Sequence, residues 1–412
     1  MLKRLLPLAL ATFAVGTDGF VIAGLLPSIG ADLGASTPAA GQLVTVFALT
    51  MAVSAPVTGA LTSGLDRRSA LLIALGVFVL GNAGTALGTT YETVMAARIV
   101  TAVGAGVITS AASGTAAALA PPERRGRALA FVMGGLTSAT ALGLPLGTLI
   151  GHADWHVTLW AVAGIGLLAA AGIAVGLPRV TLPAASLSDR LRPLAQGRVL
   201  ALLAVTTLAF LGTYTLYTYI APALRNTTGG AATPLTLALL AWGVGTLAGN
   251  IAAGRLVDRF AAGHVLTGAL GLATLTLAVT PLATRTLASA LVWAVFWGVS
   301  TGVVVPQQHR LVAFSPAAAP VLLGLNSSAL YVGVALGGGL GGLAQQWFTV
   351  TPAGLGPVAA GVTALALLWH LGTARRTGAT VRADAADAVE RADAPATAVP
   401  AVPAAGPEKS RT

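Results

Sequence analysis

The stretch LLPLALATFAVGTDGFVIAGLLPSI, running from Leu5 to Ile29, decides what class of protein this chain can be. At about 1.5 Å of rise per residue, a helix of this length crosses the roughly 30 Å hydrocarbon core of a bilayer. Its side chains are apolar or small except for Asp18, which falls near the middle of the stretch. The sequence therefore predicts a membrane-spanning helix that carries a carboxyl group at the depth of the acyl chains.

The composition of the whole chain indicates the same environment. The chain is 55% hydrophobic and 9% charged, whereas a soluble domain carries about 25% charged residues. The sequence contains no cysteine, which excludes disulfides, thiolate metal sites and thiol catalysis. Apolar runs of suitable length predict twelve membrane helices and hence an all-α membrane protein. The predicted helices begin near Leu5, Gly41, Ser69, Thr93, Ala128, His156, Val199, Pro234, Gly263, Leu287, Pro320 and Gly354.

The positive charges lie almost entirely in one set of loops. If the N-terminus is cytoplasmic, the loops after the even-numbered helices and the C-terminal tail are cytoplasmic too. Of the 23 Lys and Arg residues, only Arg225 and Arg285 then fall in external loops, and Arg98 falls within a helix. The positive-inside rule therefore predicts that both termini are cytoplasmic, in an inner or plasma membrane. Topology accounts for the net charge of +10, and no nucleic-acid partner is expected.

The chain divides near Pro178, with six predicted helices on each side. Residues 1–178 are expected to form an N-terminal six-helix bundle and residues 198–376 a C-terminal one, with a cytoplasmic linker over 179–197. The segments GALTSGLDRR and GRLVDRF follow the second and eighth helices, which are equivalent places in the two halves. Some transporters are built from two such repeats and bind substrate between them. Residues 377–412 are rich in Ala, Pro and alternating charge, which predicts a disordered cytoplasmic tail.

Several stretches, each at the appropriate helix, resemble those of a known family. They are GTDGFVIAGLLPSIGADLG in the first helix, GALTSGLDRR after the second, ARIVTAVGAG in the fourth, GGLTSATALGLPLGTLIG in the fifth, TYTLYTYIAPAL in the seventh and GLNSSALYVGVALGGGLGG in the eleventh. Together they make the chain similar to the major facilitator superfamily, in its twelve-helix drug:proton antiporter group, and most similar to the chloramphenicol-resistance exporters. The resemblance covers residues 1 to about 374. It implies two pseudo-symmetric six-helix bundles that export a drug in exchange for protons.

The first cytoplasmic loop departs from the pattern of that family. The acid expected in its Gly-x-Leu-x-Asp-Arg motif falls on Ser63, and the nearest acid is Asp66. A charge latch between the halves is therefore expected to be carried differently in this chain. Because the family uses these loops to control conformation, the resemblance makes them gating segments; simple topology signalling is the alternative for their arginines. The loop candidates are Gly59, Arg67, Arg68, Gly254, Asp258 and Arg259.

Of the 13 acidic residues, Asp18 alone is predicted to lie at membrane depth. An ionised carboxylate is costly there, so the functional interpretation is a side chain that binds and releases a proton. The alternative is a permanently protonated Asp18 that only hydrogen-bonds to a neighbouring helix.

Arg98 is the second intramembrane charge, about 9 Å along the fourth helix from Glu92. The resemblance implies that Arg98 takes part in proton relay; the alternative is a guanidinium that extends to the outer interface.

The fifth helix contains Gly143, Pro145 and Gly147. Proline removes a backbone donor and bends a helix, and glycine permits close approach of a neighbour. The resemblance favours a bend that seals the halves against proton leak, while ordinary helix packing is the alternative.

The glycine run from Gly337 to Gly342 in the eleventh helix lacks the Lys-Ser/Thr of a phosphate-binding loop, so it predicts helix packing and not ATP binding.

Aromatic and amide side chains indicate where a substrate could bind. Tyr214 and Tyr217 share a face of the seventh helix, and Trp297 lies in the tenth. Rings with polar tips suit an amphiphilic drug, although an aromatic belt at the membrane interface is the alternative. Tyr219, close to the end of its helix, is assigned to that belt. Asn326, which two serines follow, is the amide most favoured as a cavity residue.

These features predict a proton-coupled exporter of a small, mostly apolar antibiotic, and the resemblance alone names chloramphenicol or a related phenicol. An exporter of sugars or another small metabolite is the nearest alternative, and it predicts more hydrogen-bonding side chains in the cavity. A membrane enzyme would need paired acids, clustered His or a nucleophile with a base at one depth, and the sequence places no such group beside Asp18. No enzyme activity, cofactor or metal is expected. The expected partners are the drug, protons and the lipid bilayer, for a chain that acts as a monomer.

Overall fold

The computed structural model describes residues 2–61, 64–180 and 187–373, and within them every regular element is a helix. Twelve apolar helices account for most of these residues, and we number them α1 to α12 in chain order. They are α1 (Leu2–Asp32), α2 (Thr37–Leu61), α3 (Arg67–Leu87), α4 (Tyr91–Leu119), α5 (Arg125–Gly151), α6 (Trp155–Gly176), α7 (Gly197–Tyr217), α8 (Ala232–Val257), α9 (Ala262–Ala278), α10 (Leu287–Phe314), α11 (Ala319–Trp347) and α12 (Pro352–Thr373). All but α9 are long and apolar enough to cross a bilayer, and α9, with 17 residues, is followed by the short helix Thr280–Ala283.

The twelve predicted helices are confirmed in the described part of the chain, each beginning within about four residues of the position inferred from hydropathy. Connections between successive helices alternate between two ends. We call the end that holds the loops after α2, α4, α6, α8 and α10 the even-loop end, and the opposite end the odd-loop end. Ser63, residues 181–186 of the linker and residues 374–412 lie outside the described residues.

Glycine residues spaced four apart bring pairs of helices into backbone contact. A Cβ at Gly333, Gly337 or Gly341 of α11 would lie 2.5–2.6 Å from a carbonyl oxygen of α7. A Cβ at Gly245 or Gly249 of α8 would lie 2.2–2.3 Å from a carbonyl oxygen of α10. Helix association in a membrane depends on close packing, because lipid offers no hydrophobic driving force between helices. The interpretation of the α11 glycine run as a packing segment is confirmed.

The fifth helix uses glycine in the same way and carries a local distortion. A Cβ at Gly143 or Gly147 would overlap side-chain atoms of α1. The turn Ala139–Gly143 is π-helical, and the N–H of Leu144 donates to the carbonyl group at its start. Pro145 follows directly. Its ring clashes with the carbonyl four residues earlier in a regular helix, and the wider π turn relieves that clash.

At the odd-loop end, α2 contacts α11 around Tyr219. This side chain follows α7, is 0% exposed and donates a hydrogen bond of 2.9 Å to the carbonyl of Gly338. A Cβ at Gly41 of α2 or Gly342 of α11 would overlap it. The assignment of Tyr219 to a lipid-facing aromatic belt is therefore wrong. The chain turns after α7, and the ring fills the space that the two glycines leave.

Single cysteines can report which end faces the cytoplasm, because the chain has no native cysteine. Glu123→Cys places a thiol at the even-loop end and Ala153→Cys places one at the odd-loop end, both at exposed positions. In right-side-out membrane vesicles, a membrane-impermeant maleimide is expected to label Ala153→Cys at once and Glu123→Cys only after permeabilisation. The reverse labelling pattern would contradict the predicted orientation.

Candidate functional site

Asp18 and Arg98 form an ion pair inside the helix bundle. Asp18 lies on α1 and Arg98 on α4, and Nη1 of the arginine donates to Oδ1 of the aspartate at 2.6 Å. The aspartate side chain is 0% exposed and the arginine side chain 1%. Ionisable groups in membrane helices commonly face the interior and pair with one another, and the two charges that the sequence placed at membrane depth do both.

Two further polar atoms of this pair are buried without a hydrogen-bond partner among the described residues. Oδ2 of Asp18 and Nε of Arg98 have no hydrogen-bond partner within the part of the chain that the structure describes. The guanidinium carbon of Arg98 lies 4.2 Å from the centre of the Phe47 ring on α2, which is a cation–π contact. Arg98 therefore extends towards Asp18 and Phe47 and does not reach the outer interface. One carboxylate oxygen is left in a position to accept a proton.

An aromatic cluster joins α1 to α7, α8 and α10. Tyr217 of α7 lies at its centre, and its hydroxyl donates to the carbonyl of Phe20 at 3.4 Å. Its ring centroid is 6.2 Å from that of Phe20, 5.0 Å from Tyr214, 4.6 Å from Trp242 and 6.2 Å from Trp297. The structure thus brings together three of the predicted substrate-binding residues, Tyr214, Tyr217 and Trp297. Phe20, which contacts the ring of Tyr217, lies on α1, the helix that also carries Asp18.

Trp242 belongs to this cluster although the sequence analysis did not single it out. Its indole is 4% exposed and its ring lies 5.8 Å from that of Trp297. The residues three and four positions away on α8 are not aromatic, so helical spacing gave no signal. The available signal was its position well inside α8, since tryptophans of an interfacial belt lie near helix ends.

Asn326 lies apart from the aromatic cluster. It is buried on α11, and its Oδ1 accepts a hydrogen bond of 2.7 Å from the hydroxyl of Thr206 on α7. Gly337, which contacts α7 at Tyr214, is about 16 Å further along α11. The structure therefore places Asn326 in a hydrogen bond between helices and does not bring it to the rings.

The glycines and proline of α5 lie between α1 and α8. A Cβ at Gly143 would lie 2.0 Å from the hydroxyl oxygen of Thr17, the neighbour of Asp18 in the chain. The same π-helical turn also meets α8, because a Cβ at Gly243 would lie 2.2 Å from the carbonyl oxygen of Thr140. The segment around Pro145 thus contacts α1 and α8 with no room for a larger side chain. Close packing of this kind is what a seal against protons requires.

Two of the predicted gating arginines join the start of α3 to the end of α6. Arg67 is 8% exposed, and its backbone N–H donates to the carbonyl of Val180 at 2.8 Å. The guanidinium of Arg68 donates to the carbonyl of Ala174. At the equivalent place after α8, Asp258 and Arg259 are both exposed. Of the two glycines, Gly59 lies within α2, and Gly254 has open space where a Cβ would be, as far as the described residues define it.

Asp66 acts as the N-cap of α3. It is the acid nearest to Ser63, the position where the family motif of the first loop has its aspartate. Its carboxylate accepts hydrogen bonds from the Ser69 hydroxyl at 2.7 Å and from the Ser69 backbone N–H at 3.1 Å. These hydrogen bonds hold the pKa of Asp66 below its usual value. The contribution of the cap is therefore present at neutral pH and is lost in acid, as the pH falls through the lowered pKa. In this conformation Asp66 stabilises a helix start.

Comparison with known proteins relates the chain to membrane transporters. The model of the Major Facilitator Superfamily matches residues 8–338. The chain is 34% identical to the inner membrane transport protein YdhP of Escherichia coli (strain K12), over 92% of this chain and 97% of that protein. It is 38% identical to a chloramphenicol resistance protein of Streptomyces lividans, over 61% of this chain and 66% of that protein. The crystal structure of a D-xylose-proton symporter covers 90% of this chain and 97% of that chain with a TM-score of 0.73 and 19% identity, a likeness of fold.

Removing one charge of the ion pair is expected to destabilise the protein more than removing both. Asp18→Asn or Arg98→Met each leaves one charge buried without its counter-ion, which costs about 3–5 kcal/mol. The double variant leaves no such charge and should lose less stability than either single variant, so the coupling free energy in a double-mutant cycle should be at least the cost of one unpaired charge, about 3–5 kcal/mol. Unfolding of the purified variants in detergent measures it. Additive losses of stability would contradict an energetically coupled pair.

Proposed function

The chain belongs to the Major Facilitator Superfamily, and from this membership we propose that it exports a small, mostly apolar antibiotic in exchange for protons. Its broader role follows from the family itself: a multi-pass membrane protein that transports small molecules and is not an enzyme. The proposal adds the coupling ion, the direction of transport and the class of substrate.

The observation that carries the proposal is the isolated ion pair next to an aromatic cluster. Asp18 can take up a proton only by giving up the negative charge that balances Arg98, so its protonation state and the contact between α1 and α4 depend on each other. Phe20 is two residues further along α1 and contacts the ring of Tyr217. A ligand among these rings would therefore lie at nearly the same depth along α1 as the carboxyl group, on another face of that helix.

In the proposed cycle, the proton and the drug compete because each binds to a different state of the protein. A proton from outside neutralises Asp18, and the protonated protein changes to the state that opens inwards. Release of this proton to the cytoplasm restores the ion pair with Arg98, and the drug then binds beside it. Export of the drug returns the protein to the state that accepts the next proton. Because proton and drug favour different states, downhill proton entry drives the exit of the drug.

The described conformation is assigned to one point of this cycle. The contact of α2 with α11 around Tyr219 lies at the odd-loop end. The contact of α5 with α8 at Gly243 lies in the half of α8 that begins at the same end. In the orientation that the positive-inside rule predicts, this end faces outwards. We therefore assign the conformation to a state that is closed towards the outside.

Chloramphenicol or a related phenicol is the proposed substrate. The stacked and tilted rings around Tyr217 and Trp242 suit a flat aromatic ring with polar substituents. The chloramphenicol resistance protein of Streptomyces lividans, which matches 61% of this chain, supports this choice. Export of sugars or of another small metabolite is the alternative function. An aromatic lining favours the drug, because a sugar needs more hydrogen-bonding side chains.

Asp18→Asn is expected to abolish export while the protein remains in the membrane. Bacteria that lack their own drug pumps and express the wild-type chain should accumulate several-fold less labelled chloramphenicol than vector controls, and a proton uncoupler should remove the difference. Asp18→Asn should match the vector control because it cannot exchange a proton. Glu92→Gln, which neutralises an exposed carboxylate at the start of α4, is the matched control and should export normally.

The outcomes separate the parts of the proposal. Full export by Asp18→Asn at equal membrane levels would remove Asp18 from the coupling mechanism. Unchanged accumulation by the wild-type protein would remove chloramphenicol as the substrate and favour the sugar or metabolite alternative.

The contact between α5 and α8 is expected to prevent proton leak. Gly243→Ala adds a methyl group that overlaps the Thr140 carbonyl, so the two helices must separate. Proteoliposomes with this variant should admit protons faster than wild-type ones in the absence of drug, as a trapped pH-sensitive dye reports. Gly271→Ala, where nothing lies within 4 Å, is the matched control. A leak no faster than that of wild type would favour simple packing over sealing.

A further inference from the structure

One face of α8 carries three buried polar side-chain atoms that have no hydrogen-bond partner in the described part of the chain. They are Nε1 of Trp242, Oγ1 of Thr246 and the side-chain oxygen of Asn250, and none has a hydrogen-bond partner in residues 2–61, 64–180 or 187–373. The three residues are spaced four apart, so they share one face of the helix and cover about 12 Å along it. All three atoms are buried. They form a line that begins in the aromatic cluster and runs towards the even-loop end.

Buried polar groups of this kind are normally paired. The hydroxyls of Thr267 and Thr274 on the neighbouring α9 each donate to the carbonyl four residues earlier, at 3.0 and 2.9 Å. The hydroxyl of Thr246 makes no such bond among the described residues, although the same geometry is open to any helical threonine. A buried hydroxyl without a partner among the described residues also occurs at Thr17, Thr148, Thr218 and Thr236. Thr246 differs from them because it lies one turn from each of two further unpaired groups on the same face of α8.

A second indole extends this line onto α10. Nε1 of Trp297 has no partner among the described residues, and its ring lies 5.8 Å from that of Trp242. Trp293, one turn earlier on α10, is different, since its Nε1 donates to the carbonyl of Thr276 at 2.8 Å. The unpaired indoles are the two nearest to Tyr217, and the paired one points away to α9.

We infer that Trp242, Thr246 and Asn250, with Trp297, form a polar track on which the substrate is bound and guided as the protein opens. This inference rests on the proposed function and narrows the substrate class. The two indole N–H groups donate, so they select an aromatic molecule with a strong acceptor such as a nitro or carbonyl group. The hydroxyl and amide that follow select further hydroxyl or amide groups about 6–12 Å from that acceptor. In the described conformation these atoms have no hydrogen-bond partner among the described residues.

The unpaired state is tested first, on the full-length protein without any ligand. Trp242→Phe and Trp293→Phe lose the same ring volume, but only the second loses a hydrogen bond. We expect Trp293→Phe to lower the melting temperature more than Trp242→Phe, and Thr246→Val to leave it unchanged or raise it. Equal losses for the two tryptophan variants would overturn the inference, because the indole of Trp242 would then be satisfied in the empty protein.

Binding is tested next, with labelled chloramphenicol and purified protein in lipid nanodiscs. Trp242→Phe and Thr246→Val are each expected to weaken binding about fivefold or more, the loss of one hydrogen bond. Trp293→Phe, whose indole is already paired, should bind as wild type does. Wild-type affinity in both track variants would overturn the inference. Failure of the wild-type protein to bind chloramphenicol would instead remove the proposed substrate, and the melting comparison would still decide whether the track is unpaired.

Discussion

The packing of the N-terminal helices and the proposed proton coupling both depend on the ion pair between Asp18 and Arg98. Two opposite charges with side chains 0% and 1% exposed must be kept away from lipid and held at hydrogen-bond distance. That requires α1, α2 and α4 to pack closely, and Phe47 covers the guanidinium from α2. Neutralising one partner strands the other, so the pair links a protonation event to the arrangement of helices. We propose that this single carboxyl group couples the proton gradient to a conformational change.

The helix contacts follow from the absence of water in the acyl region. Glycines on α5, α8 and α11 allow backbones to approach where any Cβ would overlap, and helix association in a membrane depends on such close packing. The aromatic cluster around Tyr217 then provides a surface where α1 meets the helices of the second half of the chain. The proposed proton site and the proposed drug site thus share α1, so a shift of this one helix would move residues of both sites.

Much of the fold could be predicted from the sequence, because a long apolar run has one stable form in a membrane. Hydropathy placed the twelve helix starts, and the absence of a Lys-Ser/Thr after the glycine run of α11 indicated a packing segment, which the structure confirms. Asp18 and Arg98 stood out as the charges at membrane depth, but they are 80 residues apart and nothing in the sequence pairs them. The place of Trp242 in the aromatic cluster and the burial of Tyr219 were missed because the sequence does not show which helices contact each other. Both depend on which helices become neighbours, whereas the π-helical turn before Pro145 depends on a local clash that the sequence does not place at a given residue.

In the proposed mechanism, Asp18 binds and releases a proton each time the drug is moved. Proton movement driven by an outward chloramphenicol gradient, in proteoliposomes that contain a pH-sensitive dye, tests it most directly. The wild-type protein is expected to move protons against the direction of the drug. Asp18→Asn is expected to move none, while it still exchanges labelled for unlabelled drug at equilibrium. Proton movement by Asp18→Asn at the wild-type rate would contradict the account, because the coupling would then reside elsewhere in the protein.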